Sequence, residues 1–270
     1  MRFLLSLLFT ATLASAELRL ATFNIRMGGA DQGNRAWPSR KELVAETIQK
    51  MNPDLIGLQE AFRYQINDLQ KFLPDYAWLG VGRDDGKNAG EFSPIFYHKE
   101  KFEILESGTF WLSDTPEVPG SITWGNTCTR VCTWAKMKRK STDIELVLFN
   151  THWDHRGQES RVKSADLMLK WVKKHPESQV ILMGDFNATE TNPAILKLTT
   201  AGFTNCYLSL HQAEKNRGTH HPWTGKGSPA GTIDHIFVSP QYTIQEAWIE
   251  RHHDGSQWPS DHFPVSAVIH

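Results

Sequence analysis

The chain has 270 residues, of which 40% are hydrophobic and 22% charged, and its 29 basic and 30 acidic side chains leave a net charge of −1. That is enough apolar material for one domain with a sizeable core, and no Pro/Gly/Ser-rich linker, charge block or repeat divides it. The near-neutral balance counts against affinity built on neutralising many phosphates, because such binding to nucleic acid needs a basic excess.

In chain order, Arg2 is followed by the apolar stretch Phe3 to Phe9 and by Ala14-Ser15-Ala16. This reads as an export signal at 1–16, cleaved to leave a mature catalytic domain at 17–270, secreted or periplasmic. The stretch is too short to cross a bilayer and no other segment reaches roughly 18 apolar residues, so no membrane span is expected. Leu18 to Ile25 reads as a strand, and Pro38 to Met51 as a helix with Leu43, Val44, Ile48 and Met51 on one side. Leu55 to Gln59 is the next strand, followed by a short helix with Ile66, Leu69 and Phe72 inward. Ala77 to Ile104 and Val131 to Asn150 are strand-rich with short turns, as in antiparallel hairpins. Ser160 to Lys174 is helical, Val180 to Gly184 a strand, Pro193 to Thr200 helical, and the end all strand. The pattern predicts an α+β fold in which two mixed sheets face each other beneath outer helices.

Six segments end in a polar group suited to a metal ion or a phosphate. They are Asn24 in ATFNI, Glu60 in DLIGLQE, His152 in LFNTHWDH, Asp185 and Asn187 in ILMGDFNA, Asp234 in GTIDHIFVS, and Asp261 with His262 in PSDHFPV. Taken singly, Gly-Asp-Phe-Asn is usually a turn whose side chains bond nearby backbone. Together the six place polar groups where strands leave the core, which is where scaffolds present catalytic residues. Oxygen-rich carboxylate and amide ligands suit Mg²⁺ or Mn²⁺, and the histidines suit phosphate contact and proton transfer.

In this order, from Leu18 to Ile269, the motifs resemble those of the endonuclease/exonuclease/phosphatase superfamily, and the polar loop from Gly82 to Phe92, together with PIFY and GTFWLS, resembles an exported bacterial branch of it. The resemblance implies a four-layer α/β/β/α sandwich with its site at one rim between the sheets. It implies that Glu60 is the principal metal ligand, that Asn24 contacts the metal or its waters, and that Asp261 is a ligand or supports one. Asp185 would orient and deprotonate the attacking water, with Asn187 holding phosphate or that water. Asp234 would fix the tautomer of His262, and His152 and His262 would donate to phosphate oxygens. Arg26 departs from the pattern, since some nuclease relatives carry an acidic residue there. Phosphate contact and an ordinary salt bridge are equally good readings of it.

Other residues are weaker candidates for substrate contact. Arg83 and Glu91 belong to a Gly/Asp-rich loop whose default reading is turn chemistry. Asp154 and His155 extend the Thr-His motif, and His221 lies in THHPWTG. Of ten tryptophans, Trp153, Trp223 and Trp258 flank the motifs. Core or rim packing is their commoner role, but near a phosphate site they would stack on a sugar or a base. Cys128, Cys132 and Cys206 leave an odd thiol if one disulfide forms. The first two lie about 13 Å apart if extended, beyond the span of a disulfide.

The expectation is therefore an exported, Mg²⁺- or Mn²⁺-dependent phosphoesterase. Its phosphate-ester substrate is expected to be a small or glycan-linked sugar phosphodiester, with the protein acting as a monomer. An exported nuclease is the alternative, and a catalytically inactive binding protein of the same fold is the alternative of another class.

Overall fold

The computed structural model describes residues 17–176 and 178–270, so the leader read at 1–16 lies outside the described residues. In chain order the elements are β1 (Leu18–Asn24), α1 (Trp37–Met51), β2 (Leu55–Gln59), α2 (Arg63–Phe72), β3 (Tyr76–Leu79) and β4 (Ile95–His98). Next come β5 (Phe102–Trp111), β6 (Val131–Arg139), β7 (Glu145–His152), α3 (Gln158–Val172), β8 (Gln179–Asp185) and α4 (Pro193–Thr200). The chain ends with β9 (Thr204–Asn205), α5 (Cys206–Leu210), β10 (Asp234–Val238), β11 (Ile244–Ile249) and β12 (Val265–Ile269).

Two six-stranded sheets form, ordered β11-β12-β1-β2-β4-β3 and β5-β6-β7-β8-β10-β9. Each has one parallel pair at its centre, β1 with β2 and β7 with β8, joined through α1 and α3 as a parallel crossover requires. Side-chain alternation assigns the layers. Leu18, Leu20, Leu55, Leu148, Met183 and Ile236 share one buried cluster between the sheets. Their neighbours point outward: Phe23, Ile56 and Leu58 pack with Val44 and Ile48 of α1 and with Ile66 and Leu69 of α2. On the other side Val147, Phe149 and Leu182 pack with Met168 of α3 and Leu198 of α4. Each such fully buried side chain contributes about 1.5–3 kcal/mol relative to exposure. The result is the expected α/β/β/α sandwich.

A polar clasp fixes the sheets against one another. Gln59 Nε2 donates to Asn150 Oδ1 across the interface at 2.7 Å, and Asn150 Nδ2 donates back to the Leu58 and Pro94 carbonyls at 2.8 and 2.9 Å. Gly57 makes room for it, since a Cβ there would lie 2.4 Å from Asn150 Oδ1. The Asn150 amide, buried and bonded through both its oxygen and its nitrogen, specifies one register.

The tail differs from its all-strand reading. Five residues of α5 intervene, capped by the Asn205 side chain, which accepts the Leu208 N–H at 3.0 Å. A helix so short shows no apolar period in sequence. Irregular chain then covers 211–233. Among the described residues all three cysteines are free thiols.

Arg40 of α1 is completely buried and pins the exit of β1 to the approach of β12. Its Nε donates to the Arg35 carbonyl, and its amino groups donate to those of Ile25, Arg26 and Pro259, at 2.5 to 2.9 Å. Its guanidinium also faces the rings of Trp37 and Trp223 at 5.2 and 5.5 Å. Arg40→Leu leaves these carbonyls without their partner and is expected to cost about 3 kcal/mol or more, read from the midpoint of a urea titration.

Candidate active site

The alternation that fills the core also places the site. On β7, Leu146 and Leu148 point between the sheets, so Asn150 and His152 do too. On β8, Ile181 and Met183 carry Asp185 inward, and on β10 Ile236 carries Asp234. The register then sets these groups side by side, with His152 opposite Asp185 and Asp185 opposite Asp234. Gly184, at φ +147°, is required beside them, because a Cβ would lie 2.1 Å from the Thr151 carbonyl. From the facing sheet, the same parity directs Asn24 inward after Leu18, Leu20 and Thr22. Arg26, Glu60 and Asn187 break parity, each in the left-handed region at φ 57°, 59° and 47°. Such backbone is costly for side chains of this size and clusters at functional sites.

Arg26, Glu60, His152, Asp185 and Asn187 border a cleft of about 500 Å³ between the sheet rims, and Asn24 and Asp234 bond residues of its lining without lining it themselves. His262 Nδ1 lies 2.9 Å from Asp234 Oδ2, and its Nε2 lies 3.9 Å from Asp185 Oδ2. His152 Nε2 approaches the same Asp185 oxygen at 3.5 Å, and the Asn187 N–H donates to Asp185 Oδ1 at 2.9 Å. Burial and the neighbouring Asp234 push the Asp185 carboxyl up to about 7. Burial opposes charge on His262, but Asp234, Asp185 and Asp261 outweigh it and raise the imidazole to about 10. His152 is held neutral, well below the ordinary histidine value, by burial and then by Arg130 and Arg83. The two histidines thus have opposite electrostatic characters on either side of one carboxyl.

Glu60 and Asp261 form the second part of the site. Glu60 accepts from Asn24 Nδ2 at 3.0 Å and from the Met27 N–H at 2.9 Å. Burial opposes its ionisation, yet these bonds, His262 and Arg26 bring it below its usual value. Arg26 lies between the two carboxylates, 4.0 Å from Glu60 and 3.6 Å from Asp261, and bonds Asp31 at 3.0 Å. Both readings of Arg26 therefore describe it, for it is ion-paired and it lines the cleft.

Asn24, expected to contact the metal or its waters, bonds the carboxylates of the site. Its Oδ1 accepts the Arg26 N–H at 3.0 Å, so the amide nitrogen must be the atom that bridges Glu60 and Asp185, each at 3.0 Å. Both amide protons are engaged, so Asn24 orients two carboxylates, and its oxygen keeps one lone pair beyond the Arg26 N–H. Hard oxygen donors remain in Glu60 and Asp261, a pair that fits Mg²⁺ or Mn²⁺. One oxygen each of Asp185 and Asp234 and a ring nitrogen of His262 also lie within 4.8 Å of one another. There His262 Nδ1 is already engaged by Asp234, which suits a proton-handling group better than a metal clamp.

Arg83, Glu91 and His155 do line the cleft, with Arg83 bonded to Glu91 at 2.7 Å. Five of the weaker candidates do not. Asp154 is buried in its own turn, accepting the Arg156 and Gly157 N–H groups at 2.9 and 2.6 Å. Trp153 is a core side chain packed on Phe186 at 4.7 Å, its N–H facing Met168. His221 is buried between Phe263 and Trp258, at 4.1 and 5.1 Å. Trp223 and Trp258 border a separate crevice with Arg35. Trp153 and His221 are thus covered by the protein itself, whereas Trp223 and Trp258 are partly exposed away from the cleft. Arg130 and Cys128, which no motif marked, and His220, the neighbour of His221 in THHPWTG, line the cleft instead. Arg130 had one signal: it directly precedes β6, which pairs with the strand carrying His152.

The family model for the Endonuclease/Exonuclease/phosphatase family matches residues 21–262. The chain belongs to this family. It is 32% identical over 251 residues to the uncharacterized protein L388 of Acanthamoeba polyphaga mimivirus, across 86% of this chain and 92% of that one. Among solved structures it is similar to an endonuclease/exonuclease/phosphatase family protein from Bacteroides thetaiotaomicron, at 35% identity and a TM-score of 0.87, covering 94% of this chain and 97% of the other. A mannosyl-6-phosphatase from Bacteroides thetaiotaomicron VPI-5482 is also 35% identical, with a TM-score of 0.85 over 93% and 99% of the two chains. Membership makes the protein a metal-dependent hydrolase of phosphate esters. Among the described residues no helix is long and apolar enough to cross a membrane.

Proposed function

We propose that the protein is an exported, Mg²⁺-dependent phosphoesterase whose substrate is a phosphate carried on a sugar. The observation that carries this reading is the meeting of Asp185, His152 and His262 with the Glu60–Asp261 carboxylate pair in one cleft. Glu60 and Asp261 would hold the metal, which when bound neutralises charge on the phosphate oxygens. Asp185, aligned by Asn24 and the Asn187 N–H, orients a water and takes its proton as the water oxygen bonds to phosphorus and the ester P–O bond breaks, the leaving oxygen taking a proton from solvent and departing as the alcohol. Neutral His152 and protonated His262 donate to the phosphate oxygens, and Asp234 holds His262 in its charged form.

The sugar supports itself on three points: the near-neutral charge of the chain, the bounded cleft, and likeness to a protein named as a mannosyl-6-phosphatase. A glycan-linked diester was the first expectation from sequence, whereas that name concerns a terminal phosphate. The nuclease reading predicts cleavage of DNA with a steep loss of binding as salt rises. The direct assay is hydrolysis of a sugar 6-phosphate, a chromogenic monoester and a chromogenic diester, with Mg²⁺, Mn²⁺ or chelator. Metal-dependent release of phosphate or alcohol is expected. DNA cleavage without sugar-phosphate hydrolysis would overturn the substrate, and inactivity on every ester despite metal binding would favour a binding protein.

A further inference from the structure

The cations of the cleft are not equally neutralised. Arg26 faces Asp31, Asp261 and Glu60, Arg83 is bonded to Glu91 at 2.7 Å, and His262 to Asp234 at 2.9 Å. Arg130 is different. Its side chain is only 5% exposed, yet among the described residues its nearest acidic oxygen, Asp154 Oδ2, is 3.9 Å from its Nε. That is beyond hydrogen-bonding distance, and both atoms are buried without a hydrogen-bond partner. The other carboxylate oxygen of Asp154 is committed to two backbone N–H groups. The recorded side-chain bond of Arg130 is to a neutral acceptor, His155 Nδ1, at 3.0 Å. A guanidinium left under-compensated at a cleft wall is a ready site for an anion, since its planar fork matches two oxygens at once.

We propose that Arg130, flanked by Arg83 and His155, is an anion site that selects a terminal phosphate over a phosphodiester. The inference rests on the phosphoesterase reading above and deepens it. A diester carries one negative charge, whereas a monoester with its second pKa near ~6 carries about −1.5 to −2 at neutral pH. The groups assigned to hydrolysis treat both alike, because each offers two non-bridging oxygens to His152 and His262. The third oxygen and the added charge of a monoester need one more cation. Arg130 lines the same cleft as Asp185 and lowers the proton affinity of His152, so its field reaches the reacting group. A diester would instead place its second, uncharged ester arm against this wall, leaving Arg130 with only the distant Asp154 carboxylate at 3.9 Å.

The test compares wild type, Arg130→Gln and Arg130→Lys on a chromogenic monoester and the matching diester, and titrates inorganic phosphate into the metal-free proteins by calorimetry. Arg130→Gln is expected to lower kcat/KM for the monoester at least about tenfold more than for the diester, the scale of a lost charge-assisted bond, with any loss common to both esters reporting its effect on His152. Phosphate affinity should fall in parallel. Arg130→Lys keeps charge but not the fork and should lie between, and it carries the comparison if circular dichroism shows that the glutamine variant does not fold. An unchanged ratio of monoester to diester rates in the folded variants overturns the proposal, as does undiminished phosphate binding. If wild type hydrolyses neither ester, the phosphoesterase reading fails, and the calorimetry still decides whether Arg130 holds an anion.

Discussion

Asp185→Asn is expected to lower kcat by about 10²- to 10⁴-fold, the range for removing a positioned general base, while the folded structure persists. The amide is isosteric and keeps an acceptor for the Asn187 N–H, while its NH2 replaces the oxygen that accepted from Asn24 Nδ2, so the backbone at the end of β8 is held and the Asn24 bond is lost. What disappears is the basic oxygen 3.5 Å from His152 and 3.9 Å from His262. The same variant has a second signature in the chelated protein. The folded carboxyl is raised from 3.8 to about 7 by burial and Asp234, so folding holds a proton that the unfolded chain has released. Its stabilising effect is therefore lost as pH rises from about 4 through about 7. His262, raised from 6.5 to about 10 chiefly by Asp234 against its burial, contributes stability below 6.5 that is lost as pH rises through about 10. Metal-free wild type should melt progressively lower on the alkaline side. Asp185→Asn should remove the acidic part of that slope and keep most of the alkaline part, since Asp234 still bonds His262. Thermal melts across the pH range in chelator check this. A variant retaining near-wild-type turnover, or showing the full wild-type slope, would remove Asp185 from its assigned role.

The layers and the rim positions were legible because they follow from local rules. A strand that buries Leu146 and Leu148 on one face must present His152 on that face, and β8 and β10 repeat the argument for Asp185 and Asp234. The motifs marked strand exits, and strand exits meet at a sandwich rim. Legibility ended where burial depends on a distant segment. Asp154 looked like a site acid beside His152, but the turn that follows it absorbs its oxygen. Trp153 alternates outward from His152 and so enters the core under α3, a consequence of parity that its proximity to the motif obscured. Trp223 and Trp258 need the irregular 211–233 stretch and the approach to β12 to be placed at all. Arg130 was invisible for the converse reason, because its significance is a carboxylate that stops short of hydrogen-bonding it, and a sequence shows which charges exist without showing which of them meet.

Glu60→Gln should weaken Mn²⁺ or Mg²⁺ binding by more than the roughly 10- to 100-fold that loss of an outer partner costs, and hydrolysis should fall with it. Two donors hold the carboxylate, the Met27 N–H and Asn24 Nδ2, and they keep it ionised although it is buried. Those bonds leave lone pairs on both oxygens, and the left-handed backbone at Glu60 turns them to the cleft wall shared with Asp261. Glutamine preserves size but removes the charge that a hard cation requires. Arg26→Met makes the complementary prediction. Its guanidinium is the cation now facing both carboxylates, at 4.0 and 3.6 Å, so its removal should tighten metal binding while weakening the hold on an anionic substrate. Calorimetry on the two variants separates metal affinity from substrate affinity, and excess Mn²⁺ should recover part of the Glu60→Gln rate. If Glu60→Gln binds Mn²⁺ as wild type does, the ion lies elsewhere. The alternative is then the Asp185–Asp234–His262 group, and Asp234→Asn, which leaves Asp185 in place, should be the variant that loses the metal.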